Sequence, residues 1–255
     1  MKKFFALMSA AAVLLISTMA MAIDFDGEYI EVEGIVYPAG QSPNILRRIA
    51  IMDAYRTLAE QVDTIYVTTD STVRNMRDLD ETINARVETA LRGAKVISVN
   101  IASDGSYHAI VRLYTHGVPS SLSSAVLGEN IVIEDFPAPK VINIHSEIKY
   151  TGLIIDCRGH NLSTAIAPAI KSADGIEIYA YKNIGYRTAV DKGMVAYSTS
   201  VDSGVERAGA APLTIKAVNV SGNCDVVVSE EDADKILTAN KSANFLNDCA
   251  VVLVR

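Results

Sequence analysis

Three cysteines and four histidines are the residues of this sequence best suited to chemistry. The cysteines are Cys157, Cys224 and Cys249, and no two of them form a CxxC pair. Zinc ribbons and thioredoxin-type redox sites therefore lack their spacing. Cys157 ends one predicted strand and Cys249 precedes another, so these two could form a disulfide across a sheet in an exported protein. The odd number of cysteines leaves other pairings and free buried thiols open.

The histidines also lack a functional spacing. They are His108, His116, His145 and His160, and none belongs to an HExxH or HxH pattern. The nucleophile motifs GxSxG and SxxK and the Walker A phosphate loop are absent as well. The sequence therefore predicts no catalytic residue, no metal site and no cofactor, and we expect the protein not to be an enzyme.

Residues 1–22 have the pattern of a secretory signal peptide. Two lysines precede an apolar run from Phe4 to Ile16, and Ala20-Met21-Ala22 is a small-x-small cleavage site. We predict cleavage between Ala22 and Ile23. The run is short for a membrane span, which needs about 20 apolar residues, and no later stretch is long and apolar enough. No cysteine lies near the cleavage point, so we expect no lipid anchor.

Composition and charge restrict the partners of the mature chain. The sequence has 255 residues, 49% of them hydrophobic and 21% charged, which is typical of a folded rather than a disordered protein. Cleavage removes two lysines and no acidic residue, so the formal charge changes from −7 to −9. An acidic chain without a basic run is a poor candidate for binding nucleic acid or an anionic membrane. We expect a periplasmic or extracellular protein of the bacterial envelope.

Hydrophobic periodicity predicts a β-α-β-α-β-β sandwich module in residues 23–116. Two helices over one face of a small sheet would bury both apolar stripes. The predicted strands span 29–37, 65–69, 95–102 and 107–114, and the predicted helices span about 43–62 and 80–93. The first helix is expected to bury the face formed by Ile51, Tyr55, Leu58 and Val62. Gly93 is expected to end the second helix in a left-handed conformation, and Asp104-Gly105 is a hairpin turn signal.

The composition changes after this module. Residues 117–148 contain three of the seven prolines and a serine-rich run, and we interpret them as a linker. Residues 149–255 are predicted to form a β-rich α+β domain, in which Ser229 caps a helix and Ala250–Val254 is the last strand. The fold class predicted for the whole chain is α+β.

Four segments of the first module carry a resemblance to a known family. They are EVEGIVYP (Glu31–Pro38), RRIAIMDAYRTLAEQVDTIYV (Arg47–Val67), LRGAKVISV (Leu91–Val99) and GSYHAIVRL (Gly105–Leu113). Together they resemble the twenty-kilodalton outer-membrane lipoprotein family, which includes flagellar proteins of the FlgP and FlgT type. The resemblance covers about residues 29–115. It implies a small α/β module of the cell envelope without a known active site, and some members build rings around the flagellar basal body.

These observations favour a non-enzymatic envelope protein that acts by assembly or protein contact, with flagellar association implied by the resemblance. Its partners would be envelope proteins or further copies of the chain. The alternative is a periplasmic module that binds cell wall or a small ligand. Exposed sheet edges offer one route to assembly, and the candidate edges are the strands at Tyr29–Tyr37 and Ala250–Val254.

The processing prediction can be checked by mass spectrometry of the protein purified from cells. The mature chain should begin at Ile23 and carry no lipid adduct, because signal peptidase recognises the small residues before it. An envelope-associated chain that retains residues 1–22 would contradict this prediction.

Overall fold

The computed structural model describes residues 28–140 and 149–255. The predicted signal peptide and its cleavage site at Ala22 and Ile23 lie outside these residues, as does His145. Residues 28–116, the first module, contain five strands and three helices. They are β1 (Tyr29–Val36), α1 (Pro43–Thr64), β2 (Tyr66–Thr68), β3 (Ser71–Thr72), α2 (Val73–Leu79), α3 (Glu81–Arg92), β4 (Lys95–Ile101) and β5 (Tyr107–Tyr114).

The main sheet of the first module is antiparallel and has the order β1-β5-β4. Residues of β1 alternate between exposed and buried, as period-two patterning predicts, with Ile30 opposite Leu113 and Val32 opposite Val111. β4 and β5 form the predicted hairpin. Gly105 takes a positive φ of 83° in its turn, a conformation that glycine adopts without steric cost.

Helix α1 crosses β1 at very short range. A Cβ atom added to Gly34 would lie 2.2 Å from the backbone nitrogen of Ala54 and 2.3 Å from the carbonyl oxygen of Ala50. This close approach rotates the buried face toward small residues, and Ile51 and Tyr55 are only half-buried. The residues of the predicted face that are fully buried are Leu58 and Val62, and the complete buried stripe is Leu46, Ala50, Ala54, Leu58 and Val62.

Helix α3 begins as predicted and ends differently. The Asp80 carboxylate accepts hydrogen bonds from the backbone N–H groups of Thr82 and Ile83. These bonds lower the pKa of Asp80 because they stabilise its charged form. Gly93 follows the helix with a φ of −80°, so the expected left-handed conformation is wrong. Its N–H bonds to the carbonyls of Thr89 and Ala90 instead.

The beginning of the predicted linker is packed against the protein. Residues Leu122–Val126 form helix α4, which lies against α3. Leu122, Ala125 and Val126 are buried. Ser121 caps this helix by accepting a hydrogen bond from the N–H of Ser124. A high content of proline and serine therefore does not indicate an exposed segment here.

The second module has eight strands and three helices. They are β6 (Gly152–Asp156), β7 (Ile170–Ser172), β8 (Glu177–Tyr179), α5 (Tyr186–Lys192), β9 (Ala196–Ser198), α6 (Val205–Ala208), β10 (Pro212–Lys216), β11 (Asn219–Ser221), β12 (Asp225–Val228), α7 (Glu230–Ala243) and β13 (Val251–Val254). Ser229 caps α7 as predicted, since its hydroxyl accepts from the N–H of Asp232.

Two sheets organise the second module. One has the order β10-β6-β13-β9 with every neighbouring pair parallel, and the other is mixed and has the order β11-β12-β7-β8. The final strand β13 is buried along its whole length and bonds to β6 on one side and β9 on the other. The expectation that this strand is a free edge is therefore wrong, because a strand buried on both faces belongs in the middle of a parallel sheet.

Helices and several separate sheets together confirm the predicted α+β fold class. One continuous hydrophobic core runs through both modules, and a smaller cluster around Ile154 and Val252 lies on the other side of the parallel sheet. Within the described residues, no helix combines the length and apolar character needed to span a membrane.

The helix crossing at Gly34 can be tested by adding one methyl group. Gly34→Ala should lower the free energy of unfolding by about 3 kcal/mol, because backbone atoms of α1 must move to admit the Cβ. Urea melts measure the change. Gly128→Ala is the matched control, since a Cβ there has no neighbour nearer than 3.9 Å, and it should change stability by less than about 0.5 kcal/mol. Equal effects of both substitutions would show that the crossing is looser than described.

Candidate functional site

The outer face of the first sheet, on the side away from α1, carries a ladder of aromatic and charged side chains. Tyr29 on β1 lies opposite Tyr114 on β5, and their ring centroids are 6.3 Å apart in an edge-to-face arrangement. The Arg112 guanidinium lies 3.9 Å from the Tyr29 ring centroid and forms an ion pair of 2.6 Å with Glu31. The Lys95 ammonium lies 5.7 Å from the Tyr114 ring centroid. Cross-strand pairs of this kind stabilise a sheet while leaving its face polar.

A hydrogen-bonded chain of four side chains lies on the same face. The Ser106 hydroxyl donates to Asp104 Oδ1 at 2.5 Å and lies 2.8 Å from His108 Nε2. The other ring nitrogen, His108 Nδ1, lies 2.8 Å from Glu33 Oε1. Serine, histidine and a carboxylate at these distances form the constellation used in nucleophilic catalysis.

The surroundings of Ser106 favour a structural role for this chain. Ser106 has no exposed surface, whereas a nucleophile must reach its substrate. Its hydroxyl proton is directed to Asp104, whose pKa is lowered by the hydrogen bonds from the Ser106 hydroxyl and backbone N–H. The chain therefore ties the β4–β5 turn to β1. Sequence reasoning noted His108 only as a strand residue, and the spacing of Asp104, Ser106 and His108 at every second position was the signal it missed.

Strand β4 is an open edge of this sheet. It pairs with β5 on one side, and no other strand of the described residues pairs with its second side. Three of its apolar side chains are exposed, with Val96 at 40%, Ile97 at 46% and Ile101 at 62% of their full surface. Lys95 is its one charged residue, and the register shifts between Val96 and Ser98. A long apolar edge of this kind is a template for pairing with another chain.

The structure contains free thiols at Cys157 and Cys249, the pair that the sequence suggested as a possible disulfide. All three cysteines are free and buried. Cys157 follows the end of β6, whereas Cys249 precedes the start of β13, and these strands are parallel neighbours. Six residues of strand therefore separate the two positions, which corresponds to about 20 Å. Burial raises the pKa of Cys157 and of Cys224 to about 12, and it also raises that of Cys249, so the reactive thiolate is disfavoured.

No group of three or more histidine, cysteine, aspartate or glutamate side chains within residues 28–140 and 149–255 could hold a metal ion. The two described histidines outside the sheet ladder occupy different places. His160 lies half-buried in the loop after β6, whereas His116 lies at the junction of the two modules.

Strand β2 of the first module makes the first contact of this junction. The N–H groups of Ile166 and Ala167 donate to the carbonyls of Tyr66 and Val67 at 2.9 and 2.8 Å. The Thr69 hydroxyl then lies against Gly222, where an added Cβ would approach it to 2.1 Å. Gly222 has a φ of +60°, so two requirements select glycine at this position.

His116 and Arg207 make the second contact of the junction. A Cβ on Gly193 would lie 2.4 Å from His116 Cδ2, so the imidazole packs directly on the glycine backbone. The Arg207 guanidinium donates to the carbonyls of Cys249, Lys192 and Gly193 at 2.8, 2.5 and 2.7 Å. Burial, with a smaller contribution from the nearby Arg207 charge, lowers the pKa of His116 to about 4.

A groove runs along the same junction between α3, residues 117–131 and α5. It consists of three adjoining cavities of about 380, 650 and 330 Å³, and Glu129 lines all of them. Arg86 and Glu129 face each other across it at 3.7 Å. Tyr181 and Tyr186 of the second module donate to the carbonyls of Gly128 and Ser124 at 2.6 and 3.4 Å, which holds the wall formed by residues 117–131 in place.

A family model described as the second domain of Treponema pallidum Tp0624 matches residues 152–255. The match covers less than half of the chain, begins at the first residue of β6 and includes both sheets of the second module. No curated protein matches the chain. The similarity therefore concerns the second module and assigns no chemistry to it.

The buried position of His116 predicts a pH-dependent stability. The unfolded chain has a histidine pKa of about 6.5 and the folded chain one of about 4, so the unfolded state binds the extra proton between these values. Stability should therefore fall as the pH is lowered through this window, by up to about 2–3 kcal/mol. Urea melts between about pH 7 and pH 4.5 measure the change.

His116→Gln should remove most of this pH dependence, because glutamine does not titrate. His160→Gln is the matched control and should retain it. If His116→Gln and the parent chain lose the same stability on acidification, His116 is not buried in the folded state.

Proposed function

We propose that this protein is an exported, non-enzymatic component of the bacterial cell envelope that acts by contact with protein chains. The observation that carries the proposal is the open edge of β4. Alternate residues of this seven-residue strand present backbone N–H and C=O groups on the unpaired side, beside three exposed apolar side chains. Another strand added there would gain main-chain hydrogen bonds and buried apolar surface together.

The other sheet edges suit this role less well. At β1 the Ile35 N–H already donates to the Asp53 carboxylate of α1 at 3.2 Å. Glu31 and Glu33 of β1 are also already engaged with Arg112 and His108 of β5. The edge strands of the two sheets in the second module have three to five residues each. Within the described residues, the β4 edge is therefore the longest one without a side chain bonded to its outward backbone groups.

The outer face beside β4 would contribute specificity. Lys95 of β4 and the neighbouring Tyr114 and Arg112 of β5 place an aromatic ring and two cations next to the apolar edge. Protein interfaces typically have an apolar centre that is surrounded by polar and aromatic residues. Most of β4 and β5 belongs to the segments that resemble the outer-membrane lipoprotein family, which supports an envelope location and, by that resemblance, a flagellar association.

The environments of the serine and cysteine side chains support a non-enzymatic role. The Ser106–His108–Glu33 chain is closed to substrate at its serine, and the cysteine thiols are kept protonated by burial. The alternative function, a module that binds cell wall or a small ligand, is supported by a separate observation, the groove between the two modules. Ligand sites commonly occur at such junctions.

The contact proposal is tested by cross-linking in cells and by sedimentation of the purified chain from Ile23 onward. We expect self-association or a cross-linked envelope protein. Ile97→Lys should weaken the contact at least about tenfold, because it places a charge in the apolar edge. Ile133→Lys is the matched control, since Ile133 is an apolar residue exposed to 58% outside the sheet, and it should leave association unchanged.

Two outcomes would contradict the proposal. A chain that stays monomeric and captures no cross-linked protein in cells would remove the contact function. Association that is reduced equally by both lysine substitutions would exclude β4 as its site.

A further inference from the structure

The largest cavity of the groove is lined by a cationic and an anionic side chain of the same helix. It has a volume of about 650 Å³ and is lined by residues of α5 and of the segment 117–130. Arg187 and Asp191 of α5 both line it, one helical turn apart. Neither of them has an ion-pair partner within the described residues, whereas the neighbouring Lys192 pairs with Asp248 at 3.2 Å. Both side chains are exposed, so the cavity presents one unpaired cation and one unpaired anion side by side at its solvent-facing rim.

The remaining lining combines apolar residues, among them Val118, Pro119 and Val190, with polar ones that carry no uncompensated charge. Glu129 is balanced by Arg86 across the groove at 3.7 Å. Asn130 contributes an amide with both donors and an acceptor. Burial raises the pKa of Tyr186, which keeps its hydroxyl protonated. A ligand that matches this lining must carry both charges and have no large net charge of its own.

We propose that this cavity binds a short peptide or an amino acid in its zwitterionic form. The Arg187 guanidinium would accept the carboxylate through paired N–H donors, and the Asp191 carboxylate would bind the ammonium group. Residues four apart on a helix share one face, with their Cβ atoms about 5–6 Å apart, so both side chains can reach the same small ligand.

Other ligand classes match the cavity less well. A phosphate dianion would meet one free cation next to two carboxylates. A neutral sugar would desolvate Arg187 and Asp191 without pairing their charges, which costs free energy. The cavity volume lies within the range of about 300–1,000 Å³ that is usual for small-ligand sites. The proposal does not depend on the β4 contact, because the two surfaces involve different residues.

The test uses the chain from Ile23 onward and trialanine with free ends as the probe, followed by calorimetry or by NMR shifts. Trialanine should bind, and N-acetylation or C-amidation of the peptide should each weaken binding at least about tenfold. Binding of free alanine is measured in parallel, because it shows whether the natural ligand is an amino acid or a peptide. Binding of chitotriose is measured to test for a glycan ligand.

Matched variants identify the residue that binds each end of the peptide. Arg187→Gln should remove the preference for a free carboxylate, and Asp191→Asn should remove the preference for a free ammonium group. Arg158→Gln changes an exposed arginine that pairs with Asp156 after β6, and it should leave binding unchanged. The proposal is overturned if trialanine and alanine both fail to bind at about 10 mM, if the blocked peptides bind as well as the free one, or if chitotriose binds in their place.

Discussion

Close backbone contact between the two modules is the constraint on which the rest of this structure depends. It is made twice through glycine, where Thr69 lies against Gly222 and His116 lies against Gly193. Strand β2 adds two main-chain hydrogen bonds to residues 166 and 167. At these distances a single methyl group would separate the surfaces, because packed interiors hold almost no spare volume. The continuous core and the groove at the junction both require this contact to be intact.

The same packing determines which surfaces are open to partners. The parallel sheet places β13 between two neighbours, so its backbone groups are fully used. Helix α1 lies over β1 and β5 and contacts β4 much less, which leaves Val96, Ile97 and Ile101 exposed. An edge left open on one module and a groove formed between both modules therefore have different origins. The first follows from where one helix lies, and the second follows from how the modules meet.

Local sequence signals identified many elements but few of the contacts that matter for function. Asp80, Ser229 and Asp104-Gly105 act within a few residues of the chain, so their caps and turn could be predicted. The chain from Ser106 through His108 to Glu33 spans 75 residues and depends on strand register. The proximity of Cys157 and Cys249 could not be judged from the sequence for a similar reason, because strand order and direction decide which strand ends meet.

By itself the sequence determined the α+β class, the first long helix and the three strands of the first sheet, since hydrophobic period and capping residues act locally. Only the tertiary structure decided that β13 is central, that the start of the proline-rich segment packs against α3, and that Arg187 and Asp191 line one cavity. These features depend on contacts between residues far apart in the chain. Neither composition nor periodicity encodes them, because each is settled by which surfaces exclude water together and by how closely two backbones can approach.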